Sequence, residues 1–359
     1  MTDSNRAPEA PTSSLILIGG PTASGKTSLG VRLAKALDGE VISADSVQLF
    51  RGVEVGAATP SMGEREGVPH HLLSVIDPKE SVTAAEFQKL ADDAIADVHA
   101  RGKVAIIVGG SGLYLKALLY GLAQAPARDD ALRARLEAQA DQEGNEALWR
   151  SLEASDPKAA AALHPNDRVR VIRALEVWSL TGTSITDRQQ EHGFERLRYR
   201  VAGIGLTAPR PWIHARVDQR VSMMLDAGLL DEVRALLDAG VPIDAQPLTA
   251  IGLRESAAFL APDRAPARVG RDERVPQTLD ELRQAIQSHT RNFARRQLVM
   301  FRKEKYFRWF DAQNIESKEP ALLASLRAFL AGEDWSGGVP DERAISGEAP
   351  TVRRGRKPR

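Results

Sequence analysis

Apolar positions along the chain fall into short unbroken runs, and stretches of helical period follow them. Residues 14–20 (SLILIGG) and 103–108 (KVAIIV) are two such runs, with a shorter one at 41–44. Between them, 27–37 spaces Leu29, Leu33 and Leu37 four apart, and 84–99 places Phe87, Leu90, Ala94, Ile95 and Val98 on one helical face. Gly39 is the expected stop for the first helix. Runs that are apolar throughout, separated by helices, predict a parallel sheet covered on both faces. From about 122 to 196 the pattern is helical only, with helices expected at 131–142, 146–155, 157–163 and 168–180. Strand character returns at 199–206, and helices are expected at 212–226, 229–238 and about 279–303.

These elements predict an α/β fold: a P-loop-type parallel sheet flanked by helices, with a helical insertion. The expected division is a flexible N-terminus at 1–13, a core formed by 14–121 and 197–330, an insertion at 122–196, and a disordered basic tail at 331–359. At 359 residues and 43% hydrophobic content the chain has ample core material. It has no cysteine, which excludes disulfides and thiolate chemistry, and no apolar run of the ~20 residues that span a bilayer. With no secretion signal at the N-terminus either, a cytoplasmic location is expected.

Net charge is zero, but the distribution is uneven. Between Arg291 and Arg308 there are seven Lys/Arg against one Glu304, interleaved with or next to Phe293, Phe301, Tyr306, Phe307 and Trp309. Such a pattern suits a polyanion with exposed bases, and equally a helix with one solvated basic face. The last eight residues carry five more cations behind a Gly/Pro/Glu/Ser-rich stretch.

The segment Gly20-Pro21-Thr22-Ala23-Ser24-Gly25-Lys26-Thr27 fits GxxxxGK[ST] after a strand and at the start of a helix, where a phosphate cradle requires it. Backbone N–H groups and the helix N-terminus would face phosphate oxygens, Lys26 would add a point charge, and the Thr27 hydroxyl would ligate Mg²⁺. The strand at 104–108 ends in Gly109-Gly110-Ser111 without the carboxylate of a motor or switch ATPase. Small kinases using ATP, and transferases with a diphosphate leaving group, remain. Asp45, at the end of the strand 41–44, shares the ligand crevice with the P-loop in such a sheet. It reads either as a proton acceptor or, with Ser46, as a turn cap. The adjacent His70 and His71, without a carboxylate at ligand spacing, read as structural.

Six segments in order, GPTASGKT, SADSVQLFRGVEVGAATP, PHHLLSVIDP, VGGSGLYLKALLYGL, LHPNDRVRVIRALEV and RNFARRQLVMFR, jointly resemble the tRNA dimethylallyltransferases of bacterial type, from about residue 15 to 310. The resemblance implies transfer of a dimethylallyl group from dimethylallyl diphosphate to N6 of the adenine 3′ of the anticodon, with Mg²⁺. It implies that the P-loop holds the diphosphate, and that Asp45, Thr22 and Arg220 are catalytic, Asp45 as general base and Arg220 as part of the diphosphate clamp. It implies tRNA contacts at Asp45, Ser46, Val47, Gln48 and Ser111, at Arg133, Arg170 and Arg173 of the insertion, and at Thr249, Gly252 and Arg254. Arg295, Arg296, Gln297 and Arg302 complete the expected contacts. Ser111 also reads as the N-cap of the following helix, and Glu176, three past Arg173, as its ion-pair partner. The expected partner is a tRNA anticodon stem-loop, with no membrane, and the protein is expected to be a monomer. A P-loop kinase of a small hydroxyl compound and a non-catalytic RNA-binding protein are the competing readings.

Overall fold

The computed structural model describes residues 13–123, 125–264 and 274–335. Six strands, β1 (Ser14–Gly19), β2 (Gly39–Ala44), β3 (His70–His71), β4 (Val104–Gly109), β5 (Arg200–Thr207) and β6 (Phe307–Asp311), form one parallel sheet in the order β3-β2-β4-β1-β5-β6. β1 lies between β4 and β5, with Ile18 beside both Val108 and Ile204. The chain leaves β1 for β2 on one side and later adds β5 and β6 on the other. The C-terminal end of β1 is therefore the switch point where such sheets open a ligand crevice.

Helices α1 (Lys26–Leu37), α2 (Met62–Arg65), α3 (Ala84–Ala100) and α4 (Gly112–Tyr120) belong to the N-terminal half. Then come α5 (Asp130–Glu143), α6 (Asn145–Ser155), α7 (Pro157–Ala162), α8 (Arg168–Thr181) and α9 (Ile185–His192). The C-terminal part adds α10 (Arg210–Asp226), α11 (Leu229–Asp238), α12 (Leu253–Leu260), α13 (Leu279–Phe301) and α14 (Ile315–Leu330). The chain divides into two compact units, Tyr120–Leu197 and the remainder. The smaller is helical, with its own core of Leu148, Leu152, Val171, Ala174 and Leu175.

In the larger unit, the apolar strand runs are buried from both sides. Leu29 and Leu33 of α1 and Leu322, Leu326 and Phe329 of α14 share a core with Ile16, Ile18, Ile106 and Ile204. α3 packs on β2 and β4 and buries Phe87, Ala91, Ile95 and Val98, and Phe87 stacks on Tyr114 of α4 at 4.1 Å. α1 ends at Asp38, which takes the left-handed conformation expected of Gly39, while Gly39 opens β2, where a side chain would meet Val104 O at 2.8 Å.

Three features depart from the expectations. Residues 307–311, read as the end of a basic aromatic cluster, form β6, and Phe301, Phe307 and Trp309 are core rather than a stacking platform. α14 follows, carrying Pro320 within it. Residues 331–335 belong to the folded unit rather than to a tail, because Trp335 donates to Gly203 O at 3.3 Å and packs edge-on against Phe329. The remainder of the expected tail, 336–359, and most of the expected flexible N-terminus lie outside the described residues.

β6 can lie beside β5 because β5 is small where β6 is large. A Cβ added to Gly205 would stand 2.8 Å from the Trp309 ring. Gly205→Val should therefore destabilise the protein by about 1–3 kcal/mol, the usual range for overpacking, measured as a lower urea midpoint at unchanged slope.

Candidate functional site

The loop between β1 and α1 turns through backbone conformations that side chains rarely adopt. Gly20 (φ 143) and Gly25 (φ 90) take conformations open to glycine, and Ala23 is held in the left-handed region at φ 64. Ser24 is buried and its Oγ has no hydrogen-bond partner, an orphan that an anionic oxygen would satisfy. The ammonium of Lys26 donates to Pro21 O at 2.8 Å. Burial, then the nearby Arg220, push the Lys26 pKa down to about 7, and Asp45 partly opposes them. P-loop lysine, helix arginine and strand-end carboxylate therefore share one electrostatic neighbourhood.

α10 supplies the cationic wall. Arg220 has its pKa lowered by burial and then by Arg216, against the pull of Glu64 and Asp45. Arg216, one turn earlier, donates from Nε to Ala23 O at 2.8 Å and lies 4.7 Å from the centre of the Trp212 ring. Arg216 escaped the sequence reading, although its spacing of four from Arg220 on a predicted helix was the available signal. The same face continues with Met223, Met224 and Ala227, while Ile213, Val217 and Val221 are buried. These groups, with Thr27, Val55 and Ala58, line a cleft of 720 Å³. Its lining combines the cations Arg65, Arg216 and Arg220 with the thioethers of Met62, Met223 and Met224, and with the carboxylates of Glu54 and Glu64.

Asp45 follows β2 directly. Its Oδ1 accepts from Val47 N at 2.9 Å and from Gln48 N at 3.4 Å, so the turn-cap role is filled. Among the described residues no donor meets Oδ2, so one oxygen anchors the turn and the other remains open to a reacting proton. Ser111 ties this turn to the end of β4, accepting from Ser46 N at 2.9 Å and donating to Ser46 Oγ at 3.1 Å. Its hydroxyl is thus used across the crevice rather than as a cap for α4.

Several expected RNA contacts are engaged inside the protein. Gln297 is buried, accepting from Thr22 N at 2.8 Å and donating to Gly110 O at 3.1 Å, which makes it a brace between the P-loop and β4. The Gln48 amide accepts from Ser43 Oγ at 2.8 Å and donates to Ala57 O and Ala58 O at 3.2 and 3.3 Å, leaving no donor for a base edge. Gly252 caps α12, its N–H donating to Glu255 at 2.6 Å, and Arg254 and His289 converge on the same fully buried carboxylate. Thr249 donates to Gln246 O at 2.7 Å.

In the helical unit, Glu176 is fully buried and accepts from Asp129 N, Arg133 and Arg173. Burial alone would raise its pKa, yet the two arginines and the amide hold it at about 2. The ion-pair reading of Arg173 therefore holds in the structure, and Arg133 shares it. Arg170 is exposed and meets Asp167 at 3.5 Å.

Arg295 and Arg296 stand on the exposed side of α13, and Arg296 lies 5.9 Å from the Phe293 ring centre. Arg295 and Arg302 line a second cleft, of 370 Å³, with Arg210, His214, Arg291 and Pro21 of the P-loop. Arg291 itself pairs with Asp218 at 2.7 Å. His71 bonds to Glu40 at 2.6 Å and His70 to Val68 O at 2.9 Å. Among the described residues no group of His, Cys, Asp or Glu side chains could hold a metal, and no helix is long and apolar enough to cross a membrane.

Sheet order, P-loop and cleft define an α/β protein of the P-loop class, with a site whose geometry suits an anionic, phosphate-like group. Residues 48–304 match the family model of IPP transferase, and the chain belongs to that family. The P-loop and Asp45 precede the matched residues, so the local geometry and the match are independent observations. A tRNA dimethylallyltransferase of Geobacter metallireducens is 44% identical over 88% of this chain and 97% of its own. The crystal structure of a tRNA isopentenylpyrophosphate transferase from Bacillus halodurans is 38% identical, with a TM-score of 0.62 over 89% of this chain and 96% of that one. A eukaryotic dimethylallyltransferase described as acting on tRNA, 24% identical, shares the fold with a TM-score of 0.73 over 92% of this chain and 82% of that one.

Lys26 yields a direct test of the site. With its pKa at about 7 the free lysine is mostly neutral at about pH 8, and an anion bound beside it restores the charge. Binding inorganic diphosphate at that pH should take up a large fraction of a proton more in the wild type than in Lys26→Met. Calorimetry in buffers of different ionisation enthalpy measures the difference, and equal uptake by the two proteins would refute the assignment.

Proposed function

We propose that the protein transfers the dimethylallyl group of dimethylallyl diphosphate to N6 of the adenine 3′-adjacent to the anticodon in tRNA. The observation that carries this reading is the convergence of Lys26, Arg220 and Asp45 on one crevice, with the thioethers of Met62, Met223 and Met224 lining the cleft beside Arg220. The IPP transferase match and the names of the relatives support it.

In this reading the P-loop amides, Ser24, Lys26 and Arg220 hold the diphosphate, with Arg216 bracing the loop. As the C1–O bond breaks, negative charge grows on the diphosphate, and cations already fixed around it stabilise that charge without rearranging. Thr22 and Thr27 border the same oxygens. A lone Thr27 hydroxyl, without a carboxylate cluster, fits a Mg²⁺ that arrives held by the diphosphate rather than by a protein cage. Mg²⁺ would add further charge neutralisation of the leaving group. The adenine amine forms the new C–N bond and its proton passes to Asp45 Oδ2. The base must leave its stack to reach this point, at a cost of a few kcal/mol that is smallest in a loop. Arg295 and Arg296 are exposed cations that would meet the RNA backbone in this reading, together with the cleft of Arg210, His214 and Arg302, and Arg170 is a separate exposed cation of the helical unit.

Incubation with Mg²⁺, unmodified tRNA and dimethylallyl diphosphate should add one five-carbon unit to adenosine, seen by mass spectrometry of the digested nucleosides. ATP consumption on a small acceptor with no such adduct would refute the transferase. Asp45→Asn keeps the oxygen that anchors the turn and loses the base. It should slow transfer by about 10²–10⁴-fold with tRNA affinity retained, whereas parallel loss of both would argue against a general base. Arg295→Ala should weaken tRNA binding and reduce the slope of log K against log salt by about 1. An unchanged slope removes Arg295 from the interface.

A further inference from the structure

One half-buried carboxylate that the chemistry does not use stands behind a wall of the diphosphate cleft. Glu232, in the first turn of α11, accepts from Val55 N at 2.7 Å through Oε2 and from Gly56 N at 2.8 Å through Oε1. Those two N–H groups open a tight turn, in which Ala57 N donates to Val53 O at 2.8 Å, Ala58 N to Val55 O at 3.0 Å and Thr59 N to Glu54 O at 2.9 Å. They are the amides such a turn cannot satisfy itself, and a bidentate carboxylate is the strongest acceptor for them.

The turn needs that support. Ala58, a residue with a side chain, is held in the left-handed region at φ 47. Val55, Ala58 and Thr59 line the same cleft as Thr27, Arg216 and Arg220. From the opposite side Gln48 Nε2 donates to Ala57 O and Ala58 O, and Gln48 N donates to Asp45. The segment thus borders the diphosphate on one side and is tied on the other to the turn that carries the proposed base.

We propose that Glu232 is a positioning residue: acting through the turn 53–59, it fixes the cleft wall and, through Gln48, the placement of Asp45 relative to the bound diphosphate. The inference rests on the transferase reading of the cleft. It also accounts for a carboxylate kept in an unfavourable place. Burial pushes the Glu232 carboxyl above the usual range, the two amides pull it back, and Glu54, the charged group facing it, pushes it up again.

Glu232→Gln preserves shape but turns an N–H₂ toward a backbone N–H, leaving one amide without its acceptor. The test begins with binding of inorganic diphosphate to the full chain, followed by steady-state transfer from dimethylallyl diphosphate to tRNA. Diphosphate affinity should fall about tenfold, and the KM for dimethylallyl diphosphate should rise by a similar factor. The Kd for tRNA and the melting temperature should be unchanged. In the wild type, KM should climb as pH falls toward 5 more steeply than in Glu232→Gln, because protonation of Glu232 removes the same acceptor. Glu232→Asp, which retracts the carboxylate by one methylene, gives the same readouts should the amide variant fail to fold. Unaltered diphosphate affinity overturns the proposal, as does a loss of diphosphate and tRNA binding in parallel with a lower melting temperature. Absence of transfer by the wild type would strike the transferase reading instead, with diphosphate binding still deciding the role of Glu232.

Discussion

Crowding of like charge beside the P-loop is the constraint from which the rest of the site follows. Lys26 and Arg220 are partly withdrawn from water with the exposed Arg216 beside them, and the depressed pKa values of Lys26 and Arg220 register the cost. Desolvated cations repel one another more strongly than solvated ones, and the fold supplies Asp45 as a partial counter-charge. In the proposed reading, a bound diphosphate would relieve this repulsion. In the proposed transfer, the same cations would face the leaving group, which carries its greatest charge after the bond to carbon has broken.

Holding such a site open requires rigid surroundings, and this protein uses buried and half-buried polar side chains as braces. Gln297 joins the P-loop to the end of β4, Ser111 joins β4 to the Asp45 turn, and Gln48 and Glu232 grip the turn 53–59 from opposite sides. Glu176 does the same in the helical unit, gathering two arginines and an amide. A buried polar group that lost its partner would be costly, so each brace favours a single geometry.

Much of this was legible in the sequence. Unbroken apolar strands, the P-loop and the strand-end Asp45 each carry a local pattern, and β1, β4 and β5 lie where the runs predicted them. β6 was hidden because FRWFD has charged residues among its aromatics, and its burial depends on the small residues of β5 far away in the sequence. The left-handed stop moved from Gly39 to Asp38 because Gly39 is needed for close approach to Val104, a tertiary demand outweighing a local preference. Arg216 was readable as a fourfold spacing but carries no motif of its own. Glu232 left no signal, since its role consists of hydrogen bonds to two backbone amides 177 and 176 residues away in the sequence.

Residue type predicted chemistry better than it predicted exposure. Gln48, Gln297, Arg133 and Arg173 are all types that read nucleic acid, and each completes an internal network. An arginine can satisfy an RNA phosphate or a buried carboxylate with the same fork of donors, and sequence alone does not say which acceptor is nearer. The carboxylate decides: where Glu176 is buried without water it must recruit cations, and the nearest arginines are committed. The cations left for a polyanion are those whose neighbours are solvated or cationic, such as Arg170, Arg295 and Arg296. Affinity for RNA would then reside on exposed, salt-sensitive side chains, while the buried networks fix the geometry of each unit's own fold.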